Sequence, residues 1–205
     1  MGGYKGGEIA SKLAVVTASN YIENNFEEIK EDKEKILELI KSAIEYANMI
    51  VLEKAKENED LEQMGTTLEI CLIYKNKAYI GHIGDSRIYR IRKNIIRKIT
   101  TDHSYVQELV KDGKITKEEA EDHPKKNMLM KALGCDTFAE PDVTYKNFLP
   151  EDIILICSDG LTNMVKENEI YNIIKENEID PAKELIKKAN DSGGYDNITA
   201  VVIKN

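Results

Sequence analysis

No stretch of this chain approaches the roughly 18 consecutive apolar residues of a membrane-spanning helix, and no charged start runs into an apolar core as in a secretory signal. A cytoplasmic protein is expected. Cysteine is scarce: Cys71, Cys135 and Cys157 are odd in number and widely spaced, and two of them lie in apolar runs. That pattern excludes a disulfide frame and predicts reduced, buried thiols. The histidines His82, His103 and His123 include no pair four residues apart, and no cysteine joins them, which argues against zinc hydrolysis. A basic excess is also missing. The 29 basic and 37 acidic residues give a net charge of −8, so nucleic acid is not the main partner, although small phosphorylated sites remain open. No linker, composition shift, repeat or low-complexity segment divides the 205 residues, and a single domain over 1–205 is expected.

What is present begins with periodicity. Apolar residues recur at helical spacing from Gly7 to about Phe26 and again from about Lys33 to Asn58. The period then changes to two, predicting strands over Thr67–Tyr74, Lys77–Ile83, Arg87–Arg92 and Ile95–Ile99, with Asn76 and Asn94 in hairpin turns. Helices are predicted at Ser104–Asp112, capped by its serine, and at Thr116–Asp122, where Thr116 and Glu119 form a capping box. Leu149–Cys157 reads as a strand, Lys166–Asn177 and Pro181–Ala189 as helices, and Ile198–Ile203 as a final strand. Two long helices, a strand meander and then mixed elements predict an α+β layered domain with mainly antiparallel sheet.

Two aspartates stand in tight turns at the ends of apolar runs. Cys157-Ser158-Asp159-Gly160 follows Ile153–Ile156, and Gly194-Tyr195-Asp196-Asn197 precedes Ile198–Ile203. Carboxylates at strand ends beside glycine suit a hard divalent cation, and two from distant parts of the chain suggest a Mg²⁺ or Mn²⁺ site. Three further patterns carry a structural meaning when taken singly. Gly65-Thr66-Thr67-Leu68 opens a strand, Asp85 and Arg87 in Gly84-Asp85-Ser86-Arg87 can satisfy a turn, and Asp102 before Ser104 can cap a helix.

In this order, however, the segments form a set. Met64 to Leu68, His82 to Arg90, Thr100 to Ser104, the Glu118-Glu119-Ala120 and His123-Pro124 stretch, Ser158 to Leu161 and Gly194 to Ile198, together with the opening Met1 to Ser11, resemble the metal-dependent Ser/Thr protein phosphatases. This is the PPM family, in its compact bacterial form, and the likeness spans the whole chain. The resemblance implies a four-layer α/β/β/α sandwich, two mainly antiparallel sheets flanked by helices. It also implies a binuclear Mn²⁺ or Mg²⁺ centre, with Asp159 and Asp196 as catalytic metal ligands and Asp102 on a third, weaker cation. The implied reaction is hydrolysis of phosphoserine and phosphothreonine in phosphoproteins by a metal-activated water, without a covalent phosphoenzyme. The region Gly113–Tyr145 would contain a flap beside the site. The implied partners are phosphoproteins made by a cognate Ser/Thr kinase, and a monomer is expected.

The chain also departs from the family pattern. The family's Asp-Gly-Met-Gly-Gly-His motif is met here from its methionine, so the bridging aspartate, the upstream phosphate-binding arginine and about three strands are expected to be missing. Tyr4 stands where the family has histidine. With fewer carboxylates, affinity for a second cation should fall, and the loss of the arginine removes a phosphate clamp. The expectation is therefore a phosphatase domain lacking its N-terminal strands, with reduced activity. The alternative is an inactive pseudophosphatase or phosphoprotein-binding module.

Overall fold

A computed structural model of the chain describes residues 6–57 and 59–205. The described residues fall into two compact units: one contains residues up to Gly84 with Asp102–Asn147, the other Asp85–Thr101 with Phe148–Asn205.

In the first unit, α1 (Gly7–Ile29) and α2 (Lys33–Ala55) pack against each other and share one apolar cluster. Ala10, Ala14 and Ala18, each four residues from the next, are buried on α1 together with Ile36, Ile40, Ala43, Ile44, Ala47 and Val51 of α2. Alanines along one stripe let two helices approach closely. The side chain of Asp32 starts α2 by accepting from the amides of Glu34 at 3.0 Å and Lys35 at 3.2 Å. Three antiparallel strands follow, β1 (Leu68–Tyr74), β2 (Lys77–Ile83) and β5 (Asp142–Asn147), in the order β1-β2-β5 among the described residues. Two shorter helices, α3 (Tyr105–Lys111) and α4 (Lys117–Glu121), carry the predicted Ser104 cap and the Thr116/Glu119 capping box.

The second unit holds β3 (Arg87–Arg92), β4 (Ile95–Lys98), β6 (Ile153–Cys157) and β7 (Ala200–Lys204), all antiparallel, in the order β4-β3-β6-β7. Alternate residues Tyr89 and Ile91 of β3, and Ile153, Leu155 and Cys157 of β6, are buried in one cluster. The helices α5 (Asp159–Thr162), α6 (Glu167–Glu176) and α7 (Pro181–Asp191) add Leu161, Ile170, Ile174, Leu185 and Ala189 to it. Both two-residue hairpin turns are left-handed, with φ of 45° and 58° at Lys75 and Asn76 and 45° and 62° at Lys93 and Asn94. Asparagine tolerates that conformation, and the turn twist matches that of the strands.

The α+β class with two antiparallel sheets and flanking helices is as expected. Several boundaries differ. The strand predicted from Leu149 begins at Ile153, because the Leu149 amide donates to Asp152 Oδ2 at 2.7 Å and the Asp152 amide to Leu149 O at 3.0 Å, closing a turn instead. The last strand begins at Ala200, two residues late. Strand β5 was not foreseen: Val143 and Tyr145 alternate toward the core, but charged and polar neighbours hide the pattern. Cys135 is exposed, contrary to the expectation of three buried thiols, since it lies in the irregular segment ahead of β5. Among the described residues no helix is long and apolar enough to cross a membrane.

Candidate active site

The second unit brings Asp159 and Asp196 together through Ser158. Strand β6 ends at Cys157, and Ser158 stands at the N-cap position of the short helix α5, of which Asp159 is the first residue, without a side-chain bond to the helix. The Ser158 amide donates to Thr199 O at 3.1 Å, and its hydroxyl oxygen accepts from the Thr199 amide at 2.9 Å. The same hydroxyl donates to Asn197 O at 3.2 Å. One small side chain thus pins the Asp196–Thr199 loop to the start of α5. Gly160 makes the approach possible, because a Cβ there would stand 2.3 Å from Asn197 O, a main-chain atom with little room to retreat.

The carboxylates themselves are oriented. Asp159 Oδ2 accepts from Asn163 Nδ2 at 3.1 Å, one helical turn on, and Asp196 Oδ1 accepts from the Asn197 amide at 2.7 Å. Asp159 is half-buried and Asp196 exposed, so the pair opens to solvent on one side. Burial, and then the charge of Asp196, push the Asp159 carboxyl above its ordinary value, against the pull of the Gly160 amide, the Asn163 amide and the Arg87 guanidinium. Two mutually repelling hard-oxygen groups, one of them desolvated, fit a divalent cation, whose charge would offset both penalties. Among the described residues no group of three or more His, Cys, Asp or Glu side chains gathers as a metal cluster.

Asp102 lies in the first unit and is 8 % exposed. Its neighbour His103 is fixed at both ring nitrogens: Nδ1 accepts from the Gly84 amide at 3.1 Å, and Nε2 lies 3.3 Å from Asp142 Oδ2. The ring stacks on His82 with centroids 4.6 Å apart and planes 27° apart. His82 Nδ1 in turn lies 3.1 Å from Glu69 Oε1. Burial and the adjacent His82 hold His103 below the ordinary imidazole value, with Asp142 opposing.

Of the residues singled out from sequence, Asp159 and Asp196 meet within one unit and Asp102 belongs to the other. Met1–Lys5, Tyr4 among them, lie outside the described residues. Sequence reasoning missed the roles of Ser158, Asn163, Gly160 and Asn197, although all four stand inside or beside the quoted motifs. It also used His82 and His103 only to argue against zinc and gave them no place in the site. No spacing in the sequence joins them; ring stacking and the paired hydrogen bonds between Gly84 and His103 do. The cysteines offer no activated nucleophile: burial pushes the Cys71 thiol up to about 12, burial and then Asp136 push the Cys135 thiol above its ordinary value, and Cys157 is sealed in the core of its unit.

Comparison with known proteins points one way. The family model described as Protein phosphatase 2C matches residues 1–193. The Serine/threonine phosphatase stp of Listeria welshimeri is 38 % identical over 206 residues, an alignment covering 100 % of this chain and 81 % of that protein. Among solved structures, the Mycobacterium tuberculosis serine/threonine phosphatase PstP/Ppp superposes with a TM-score of 0.87 at 35 % identity, covering 100 % of this chain and 86 % of the other. The catalytic domain of the phosphatase PstP in complex with two manganese ions gives 0.84 at 34 % identity, covering 98 % and 83 %.

Proposed function

Since the chain belongs to the Protein phosphatase 2C family, and by family is a protein-serine/threonine phosphatase, we propose that it hydrolyses phosphoserine and phosphothreonine in phosphoproteins with Mn²⁺ or Mg²⁺ held by Asp159 and Asp196. A further cation would be held by Asp102. The observation that carries this proposal is the pairing of Asp159 with Asp196 by Ser158 around a glycine that leaves no room for a side chain. When bound, the divalent ions supply Lewis-acid polarisation of the phosphoryl group and an acidified water to attack it.

The chain's own residues supply the rest. Asn163 and the Gly160 amide set the Asp159 carboxylate, the Asn197 amide sets that of Asp196, and Arg87 contributes positive charge on the Asp159 side. Arg87 is placed to do so because it pairs across the sheet with Cys157, two residues before Asp159. The open side at Asp196 admits a phosphorylated side chain, while the cysteines take no part. The substrates proposed are phosphoproteins of a cognate Ser/Thr kinase, in the cytoplasm, acted on by a monomer folded as one domain.

The test is Mn²⁺-dependent phosphate release from p-nitrophenyl phosphate and from a phosphothreonine peptide. The chain is assayed beside its Asp159→Asn and Asp196→Asn variants and beside a version extended by a family-type N-terminal segment. Release that needs Mn²⁺ and disappears in both variants supports the proposal. Release indifferent to Mn²⁺ overturns the metal assignment. Binding of the phosphopeptide without release, in the extended version too, would make this a phosphoprotein-binding module.

A further inference from the structure

The Asp102 segment stands on a prepared seat in the first unit. In the sheet register Glu69 of β1 is opposite His82 of β2, and His82 is opposite Asp142 of β5, so one row across three strands presents a carboxylate, an imidazole and a carboxylate on the same face. His103 sits on that row, bonded to Asp142 and stacked on His82, which is 1 % exposed and tied to Glu69. At the end of β2 the chain turns through Gly84 at φ 122°, where a Cβ would meet Thr67 Cγ2 at 2.3 Å. Only glycine fits that corner.

Gly84 and His103 close a ring of two hydrogen bonds. The His103 amide donates to Gly84 O at 2.7 Å, and the Gly84 amide donates back to His103 Nδ1 at 3.1 Å. On the other side, the Met130 amide donates to His103 O at 2.8 Å and the Tyr105 amide to Met128 O at 2.8 Å. Both sides of the backbone following Asp102 are therefore held, and the imidazole joins the Gly84 corner to the sheet row.

A main-chain N–H can only donate, so Nδ1 bears no proton, and the proton sits on Nε2 facing Asp142. We propose that His103, held by the Gly84 amide on Nδ1 and by Asp142 beside Nε2 and seated on His82, is a positioning residue that holds Asp102 in place to bind a divalent cation. The proposal rests on the assignment of Asp102 to a cation made above. His103 touches neither substrate nor reacting atoms; it acts through Asp102, as partners behind a ligand do.

Two measurements test it. Long-range ¹⁵N–¹H correlation on the metal-free chain should show no proton on His103 Nδ1, the nitrogen that accepts from Gly84; an Nδ1–H ring overturns the proposal. Calorimetric Mn²⁺ titration then compares the chain with Asp102→Asn, His103→Ala, His103→Asn and Asp142→Ala. Asp102→Asn should remove one binding phase, and His103→Ala should weaken that same phase by roughly 10–100-fold while leaving the others. His103→Asn, whose amide oxygen replaces Nδ1 as acceptor for Gly84, should recover much of the loss.

The failures separate cleanly. If Asp102→Asn removes the phase and His103→Ala does not weaken it, His103 is not a positioning residue and Asp102 keeps its assignment. If Asp102→Asn changes nothing, the assignment of Asp102 falls and this proposal with it. Should His103→Ala fail to fold by circular dichroism, Asp142→Ala carries the test, because the Asp142 side chain is 63 % exposed and its truncation spares the core. A several-fold weakening of the Asp102-dependent phase in that variant supports the proposal, and an unchanged phase overturns it.

Discussion

Strand β6 has an aspartate just before it and another just after, and the chain treats them in opposite ways. Asp152, 2 % exposed, meets its own cation: Arg92 Nε donates to Oδ1 at 2.7 Å and a terminal guanidinium nitrogen to Oδ2 at 2.5 Å. Burial alone would push its carboxyl up, but those bonds and the Leu149 amide outweigh it and hold Asp152 below the ordinary carboxylate value. Asp159, six residues after Ile153 begins the strand's apolar run, has a second carboxylate as neighbour, and its carboxyl is pushed up. The first aspartate is neutralised within the fold and serves stability. The second keeps a charge conflict that a bound cation would relieve, the kind of perturbed carboxyl that marks a candidate for chemistry.

Asp159→Asn gives the sharpest contrast. Mn²⁺-dependent phosphatase activity should fall by more than the roughly 100-fold typical of losing a ligand's supporting partner, while the metal-free protein melts no lower than the parent, since an amide of the same shape removes a repelled charge. Activity assays and calorimetric melting on the same two samples check both halves; a variant that keeps activity, or one that loses several degrees, breaks the comparison. Next in size is Gly160→Ala. The added methyl must displace the Asn197 main chain, so Mn²⁺ affinity should drop about 10-fold or more, read by calorimetric titration.

Asp152→Asn should do the reverse of Asp159→Asn. Removing the carboxylate charge from beside Arg92 should cost about 2 kcal/mol in urea unfolding, on the low side for a buried pair because Arg92 is 28 % exposed, with Mn²⁺ affinity unchanged. The pH dependence is the smallest effect. A carboxyl held low in the folded state adds stability above its unfolded value, roughly 4, and loses it as pH falls through the folded value. The stability gap between the parent and Asp152→Asn should therefore be full at pH 6 and shrink steadily below about pH 4. A gap that is constant down to pH 2.5 would mean that Asp152 gains nothing from Arg92.

Much of this was legible in the chain itself. The helices around Ile36–Val51 and Ile170–Ile174 follow from spacing, the hairpins from asparagine between alternating runs, and the α3 and α4 starts from Ser104, Thr116 and Glu119. Asp159 and Asp196 were legible as residues because each stands next to glycine or asparagine at the edge of an apolar run. What held them together was not. Ser158 looks like an ordinary helix cap until Asn197 and Thr199 are found on it, some forty residues away in sequence. The boundary at Leu149 failed for a similar reason: a side chain, Asp152, took the amide that an extended strand would have left for the sheet.

The sequence by itself determined the α+β class and the order of the longer elements, and it singled out Asp159 and Asp196 as candidates, because period, capping and turn chemistry act over a few residues. Only the tertiary structure decided which groups meet. Antiparallel pairing sets Glu69, His82 and Asp142 in one row beneath His103, and the sheet order β3-β6-β7 brings Asp159 to Asp196 and Arg87 to its side. Those distances depend on strand register, which is fixed by the burial of whole faces at once, and no local stretch of residues carries that information.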